Sequence, residues 1–481
     1  MVEHPAQDFP HPDRLLGADP SVRELARELY SQVAQLPLVS PHGHVDATVL
    51  EKDEMFPDPA ALLVTPDHYI TRLLHAQGVP LENLGVPARG PAGAAPATRP
   101  APRDIWRLLC RYWPVFRGTS MRLWLEHELA DLFDITGPLT EETSDQTFDQ
   151  VTEHLQRPEM RPRALFQRFG LEVLATTDSP LDDLDAHQAL DADPAWHGKV
   201  VPTFRPDQLV EVTDPGRWNQ LLEQLHRVSG IDTGSYRGYI EALEARRAAF
   251  KALGATATDH GHFSIEPTDL SEHEASRLYD RLRLGPHQPG DAAVFLSHML
   301  MEMARMSAED GLVMQLHPGV WRNHDSYAFA RFGPDIGADF PVATSFTASL
   351  HNLLDRFGSH PGFRAVAFTV DETVYSRELA PMASYYPGLW LGAPWWFLDA
   401  PDSMARFWSG VVETAGFSKL AGFVDDTRAY CSIPARHDVA RRAYSTFLAR
   451  LVLEHRLSKA DAAEVAADFA YRSPKIAFRF A

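Results

Sequence analysis

The segment Leu38–Asp46, LVSPHGHVD, sets two imidazoles one residue apart where an apolar run gives way to Ser40 and Pro41. In an extended chain residues i and i+2 share a face, so His42 and His44 stand side by side at a strand end. Neutral imidazole is the commonest protein ligand for zinc and related divalent ions. Gly43 between them removes a side chain and lets the backbone approach whatever is bound. A His-x-His pair also arises readily by chance in a chain with 22 histidines. Its weight therefore comes from its place at a strand end and from the residues further along the chain.

The elements that must position the pair are legible as a repeating pattern. Asp19-Pro20-Ser21 opens a helix, with Val22, Leu25, Ala26, Leu29 and Val33 at helical spacing and Pro37 after its end. The first strand, which carries the histidines, comes next. Asp67–Leu74 starts a second helix, the Ala/Pro/Gly/Arg-rich stretch 86–103 reads as a flexible loop, and 104–133 is again helical. The aromatic residues of that last stretch, Trp106, Tyr112, Trp113 and Trp124, read as core.

From Leu171 onward short β-like runs end in polar residues and lead into helices: 171–175, 200–204, 254–258, 312–316, 365–370 and 420–424. With the first strand that makes seven, and an eighth is expected somewhere in 45–170. Strand-then-helix repetition implies parallel strands, and polar residues gathered at their carboxyl ends are the layout of a (β/α)8 barrel. The expected organisation is an N-terminal helix and first strand over 1–44, a mainly helical insertion over 45–170, and the rest of a distorted α/β barrel with C-terminal helices over 171–481. Residues 437–457 are helical, and Ser458 with Asp461 caps a last helix running to Tyr471.

Composition removes several classes of function. At 481 residues, 44% apolar and 23% charged, the chain is ordinary for a globular protein. No apolar run reaches transmembrane length, and MVEHPAQDFPHPDRLL has neither the basic nor the apolar part of a secretion signal. Cys110 and Cys431 alone make no disulfide framework and fit a reducing cytoplasm. The 45 basic against 65 acidic residues give a formal charge of -20, with no Lys/Arg block, so neither nucleic acid nor membrane is expected as a partner. An anionic substrate would be repelled overall, and specific arginines must reverse that locally.

When a barrel closes, its first and last strands are neighbours. His42, His44 and Asp426 then share one metal, with Asp425 as a competitor for the carboxylate role. His317 or His260 is either an added ligand, a catalytic group or a buried imidazole bonded to backbone. This layout is similar to the amidohydrolase type of barrel. The resemblance becomes closer over PHGHVD (41–46), DHYITRLLHAQGV (67–79), ATTDSPLDDL (175–184), VVPTFRPD (200–207), ATDHG (257–261), MQLHPGVWRN (314–323), PWWFLD (394–399) and DDTRAYCSIPARHD (425–438). In order and spacing these stretches resemble the uronate isomerase (glucuronate isomerase) family over nearly the whole chain.

That resemblance implies an aldose–ketose isomerase acting on a small-molecule hexuronate, glucuronate to fructuronate or galacturonate to tagaturonate, by proton transfer between C2 and C1 through an enediol. It implies a divalent metal, zinc by expectation, on His42, His44 and Asp426. Tyr69 and Arg428 fall where the family places groups of proton transfer, with His317 and Asp426 also in catalytic positions. Arg205, Asp259, His317 and Arg322 line the sugar pocket. Trp395 and Trp396 form an apolar wall or are simply core. His68 and Arg72 are further substrate-binding candidates. Tyr69 becomes a base near neutrality only where a cation such as Arg428 lowers its ordinary pKa of about 10.

The chain departs from the family pattern at Ser40-Pro41 before His42, at Gly43 in place of Cys, and at Ile70 in place of Lys. A carboxylate behind the ligands is thereby missing, and weaker metal binding is expected. The alternative readings are a metal-dependent amidohydrolase-type hydrolase of a small anionic substrate, in which the same ligands activate water, and an inactive binder of sugar acids. A homo-oligomer is compatible with either, with no interface legible.

Overall fold

The helix Pro20–Val33 begins where Asp19 accepts from the N–H groups of Ser21 and Val22. At its other end the Arg441 guanidinium donates to the carbonyls of Val33, Ala34 and Pro37 at 2.9, 3.1 and 3.0 Å. One cation thus satisfies carbonyls that the helix leaves without partners and fixes the direction in which the chain enters its first strand. The computed structural model describes residues 10–89 and 99–480. The expectations for the extreme N-terminus and for the middle of the 86–103 loop fall on residues 1–9 and 90–98, outside the described residues.

Among the described residues nine strands follow in chain order: β1 Leu38–Ser40, β2 Leu171–Ala175, β3 Lys199–Val201, β4 Ala257–His260, β5 Val313–Leu316, β6 Val320–Trp321, β7 Phe340–Pro341, β8 Ala365–Ala367 and β9 Leu389–Leu391. β6 and β7 form a small antiparallel pair. The others are parallel, in the orders β1-β2-β3 and β4-β5-β8-β9. Phe204 bridges the two groups, pairing with Asp178 on one side and Thr258 on the other, and Leu420 adds to the far edge through Leu391. The outermost segments then meet where the N–H of His44 donates to the carbonyl of Thr427 at 2.9 Å. The fold is α/β, with parallel strands buried on both faces and helices outside them.

The eighth parallel segment is not in 45–170, where no strand occurs among the described residues; it is β9. Leu-Trp-Leu is too short to carry a period, and Gly392 and Pro394 follow at once, so the run reads as loop. β4 begins and ends later than its sequence pattern suggests, so Asp259 and His260 belong to the strand itself. The long C-terminal helix is Ile433–Leu453, and the Ser458 cap is present, its hydroxyl accepting from Asp461 N–H at 3.0 Å.

Two apolar clusters hold the chain. One surrounds the strands and their outer helices. The other is built from the helices between β1 and β2, around Trp106, Trp124 and Phe133, and reaches Leu38, Leu171, Leu174 and Ile433. Helix His68–His75 has its side chains in both clusters, since Tyr69 packs against each. Its cap, Asp67, accepts from Tyr69 N–H at 2.8 Å, which sets the tyrosine at the first turn.

Candidate active site

The carboxyl ends of the parallel strands open into a cavity of about 980 Å³. His42 and His44 line it, their rings edge to face at 5.2 Å. Asp426 Oδ1 lies 3.4 Å from His42 Nε2 and 3.1 Å from His44 Nε2. Asp426 has φ +40°, a left-handed conformation that a non-glycine residue rarely adopts and that turns its carboxylate toward the imidazoles. Its other oxygen accepts from the Trp395 indole N–H. Asp425 is out of contention as the ligand: it faces the other way, onto His437 Nε2 at 3.1 Å.

These three side chains suit a divalent cation. Asp426 Oδ1 is buried and has no hydrogen-bond donor, and one ligand atom from each residue lies within 4.8 Å of the others. Two imidazoles and a carboxylate are an ordinary donor set for such an ion. Burial raises a carboxyl pKa, but here the two imidazoles overcome it and hold Asp426 well below the usual range. Burial holds His44 below an ordinary histidine, whereas the carboxylates of Asp259 and Asp426 carry His42 upward against its burial. The Nδ1 of His42 has no partner, in line with the missing carboxylate behind it. Gly43 is not demanded by space, since an added Cβ would meet nothing closer than 3.5 Å.

His317 stacks between His42 at 4.7 Å and Phe368 at 4.1 Å. Its Nδ1 is 2.7 Å from Asp259 Oδ1, which leaves Nε2 without a partner. Asp259 in turn receives Arg205 at 3.0 Å. Arg205 and His317 hold Asp259 ionised against its burial, while burial keeps His317 below the ordinary histidine value. Arg205 also donates to Asp207 at 2.9 Å. A Cβ on Gly261 would collide with Arg205 Nη2 and stand 3.1 Å from Arg322 Nη2. Glycine is therefore required for both guanidinium groups to converge. Arg322 lies 5.9 Å over the Trp396 ring and is otherwise weakly committed, 4.0 Å from Asp339.

The opposite wall comes from the helix His68–His75. Burial, reinforced by Arg428, pushes the His68 pKa down to about 3, and its ring stacks on Trp396 at 5.6 Å. Tyr69 corrects a sequence-based expectation. The cations against its ring are Arg436, 4.9 Å from the centroid, and Arg72 at 5.6 Å, while Arg428 pairs with Asp335 at 3.2 Å. Burial outweighs Arg436 and raises the phenol, so Tyr69 stays protonated near neutrality. Arg72 is not part of the cavity lining: its guanidinium covers Phe397 at 4.6 Å. Trp395 and Trp396 are both cavity wall and nearly buried, so the two readings of them are compatible. His260 does not join His42; it faces His262 and Asp207.

Several lining residues carry no assignment from sequence. Asp178, whose pKa burial raises to about 7, sits in the ATTDSP stretch; Asp207 ends VVPTFRPD; and Arg436 belongs to the ARHD tetrapeptide. Each lies inside a recognised motif and is open to assignment on that ground. Asp335 lies in no such motif, and only the folded chain brings it to Arg428.

The family model described as glucuronate isomerase matches residues 20–478. A uronate isomerase of Rhizorhabdus wittichii is 51% identical over 469 residues, 98% of either chain. The crystal structure of glucuronate isomerase from Caulobacter crescentus superposes with a TM-score of 0.94 at 45% identity, covering 98% of this chain and 96% of that one. The uronate isomerase of Thermotoga maritima gives 0.89 at 27% identity, covering 98% and 99%. Matched from the first helix to the last turn, this chain belongs to the glucuronate isomerase family.

Proposed function

We propose that the protein interconverts a hexuronate and its 2-keto isomer, D-glucuronate with D-fructuronate or D-galacturonate with D-tagaturonate. The observation that carries this is the meeting of the His42/His44/Asp426 cluster with the Asp259-held His317, stacked on His42, in one cavity lined by Arg205, Arg322 and Arg428. Isomerisation needs a group that accepts the C2 proton and returns one to C1, and donors that steady the enediol oxygens. His317 suits the proton-carrying role, because Asp259 fixes its Nδ1 and its Nε2 is free. Tyr69, neutral, donates a hydrogen bond to a sugar oxygen, and Arg428 adds positive charge beside it. Arg322, the least engaged of the three arginines, receives the substrate carboxylate as a fork. Zinc is the proposed ion; His42, His44 and Asp426 would hold it, and when bound it would supply Lewis-acid polarisation of a substrate oxygen.

Hydrolysis, the other reading of the same ligands, is not favoured, since the relatives named above are isomerases. No helix among the described residues is long and apolar enough to cross a membrane. Both cysteines are buried and free, which supports a cytoplasmic setting. The test is proton NMR of the metal-loaded protein with each uronate in deuterated water. A mass-conserving conversion to ketose, with solvent deuterium entering at C1, is expected. Bond cleavage with uptake of water, or no ketose from either uronate, overturns the proposal.

A further inference from the structure

His-Gly-His occurs twice at strand ends, as His42-Gly43-His44 after β1 and as His260-Gly261-His262 at the end of β4. Strand alternation puts Asp259 on the cavity side with His317, and His260 and His262 on the other. There they meet Asp207, the first residue of the turn of helix after β3. One ligand atom from each of Asp207, His260 and His262 lies within 4.8 Å of the others. His260 and His262 are 0% and 1% exposed.

The atoms that remain free in this cluster point to a ligand. Asp207 Oδ1, His260 Nδ1 and His262 Nε2 are all buried and all without a hydrogen-bond partner. The second polar atom of each side chain is occupied. Asp207 Oδ2 accepts from Arg205 at 2.9 Å and from Gly261 N–H at 3.2 Å. His260 Nε2 is 3.0 Å from Thr258 Oγ1, and His262 Nδ1 is 3.3 Å from Glu211 Oε2. Imidazoles held from behind by a hydroxyl and a carboxylate have their lone pairs aimed forward, which is the usual support of histidine ligands. Asp207 Oδ1 and His262 Nε2 are 3.5 Å apart, about the ligand–ligand separation around an ion with bonds near 2.1 Å. Charge agrees. Asp207 and Asp259 share one guanidinium, Arg205, and Glu211 stands against His262, so carboxylates outnumber the arginine they pair with.

We infer that Asp207, His260 and His262 form a second divalent-cation site, of the kind that takes zinc, cobalt or nickel, set behind Arg205 and separate from His42, His44 and Asp426. Its ion would lock Asp207 and so hold Arg205 in place at the cavity wall. Without an ion, a protonated His262 between Asp207 and Glu211 is the competing state.

The experiment strips the full-length protein with a chelator, titrates it with Co²⁺ by visible absorption, and counts metal after desalting. Two equivalents are expected for the wild type. His262→Gln should leave one, and His42→Ala should leave the other. Thr258→Val, which keeps every ligand and the fold, should weaken the second equivalent by about ten- to a hundredfold and leave the first unchanged. Circular dichroism confirms that each variant is folded. A single equivalent in the wild type, or two equivalents that survive both His262→Gln and Thr258→Val in folded protein, overturns the inference.

Discussion

At the strand ends the ionisable groups Asp259, Asp426 and Arg205 are held charged. Arg205 and His317 keep Asp259 ionised against its burial, His42 and His44 do the same for Asp426, and the two carboxylates beside Arg205 raise its pKa against its burial. Across the cavity, the helices inserted between β1 and β2 hold theirs neutral. Burial takes His68 down to about 3, raises Tyr69, and lifts Glu128, behind them and beside Asp67, to about 8. Burial is comparable on both sides, so it does not make the difference; what differs is the presence of opposite charge within a few ångströms. The strand ends bring cations and carboxylates from five different segments together, whereas the inserted helices supply aromatic surface. A charged floor thus faces a neutral wall; on the proposed function the floor would grip an anionic sugar and an ion, and the wall would donate hydrogen bonds and exclude water.

The largest break in this contrast removes the floor's centre. Asp426→Asn or His42→Ala should lose metal and lower turnover by about a thousandfold or more, with the far-ultraviolet dichroism unchanged. Chelation of the wild type should do the same reversibly, read by metal analysis beside the rate. Arg205→Lys keeps the charge but not the fork that serves Asp207 and Asp259 together. A loss of about a hundredfold in kcat/KM is expected, with a lower melting temperature, because two buried carboxylates lose part of their pairing.

The wall is tested more gently. Tyr69→Phe should cost about ten- to a hundredfold in kcat, the size of one hydrogen-bond donor to a developing oxyanion. Because Tyr69 stays protonated well above neutrality, the pH–rate profile between pH 6 and 9 should keep its shape; a lost alkaline limb would assign Tyr69 the role of a base. Glu128→Gln should have the smallest effect on turnover and a diagnostic one on stability. With the folded pKa raised to about 8 against a reference of 4.5, the folded chain holds a proton that the unfolded chain has released over that interval. Wild-type stability therefore falls as pH rises from about 4.5 to about 8, by up to about 1.4 kcal/mol per pH unit from this group. The variant should flatten that slope, measured as melting temperature against pH.

The two sides also differ in how far the sequence discloses them. The floor is legible because strands alternate faces and end in the residues that matter. From His-x-His, the aspartate pair after the last β-like run and strand-then-helix repetition, the convergence of His42 and His44 with Asp425 or Asp426 follows without coordinates, and the fold turns Asp426 to the imidazoles and Asp425 to His437. Pairings are not legible in that way. Nothing in the chain says that Arg428 goes to Asp335 and Arg436 to Tyr69, so the cation expected to lower the tyrosine is the wrong one, and burial prevails. Arg72 shares a short helix with two lining residues, one turn past His68, and only the folded chain shows that its guanidinium covers Phe397 instead. The last parallel strand is hidden in the sequence because three residues cannot show a period of two. Gly43 and Gly261 make the same point for sterics: both interrupt a histidine pair, but only the second has guanidinium groups pressed against it.

More rests on the ion at the floor than on any other feature of the cavity. Anomalous diffraction from crystals of the metal-loaded protein measures it directly. The prediction is a peak about 2.0–2.2 Å from one imidazole nitrogen each of His42 and His44 and from a carboxylate oxygen of Asp426. Fully active protein whose crystals show no peak among these three residues would contradict it.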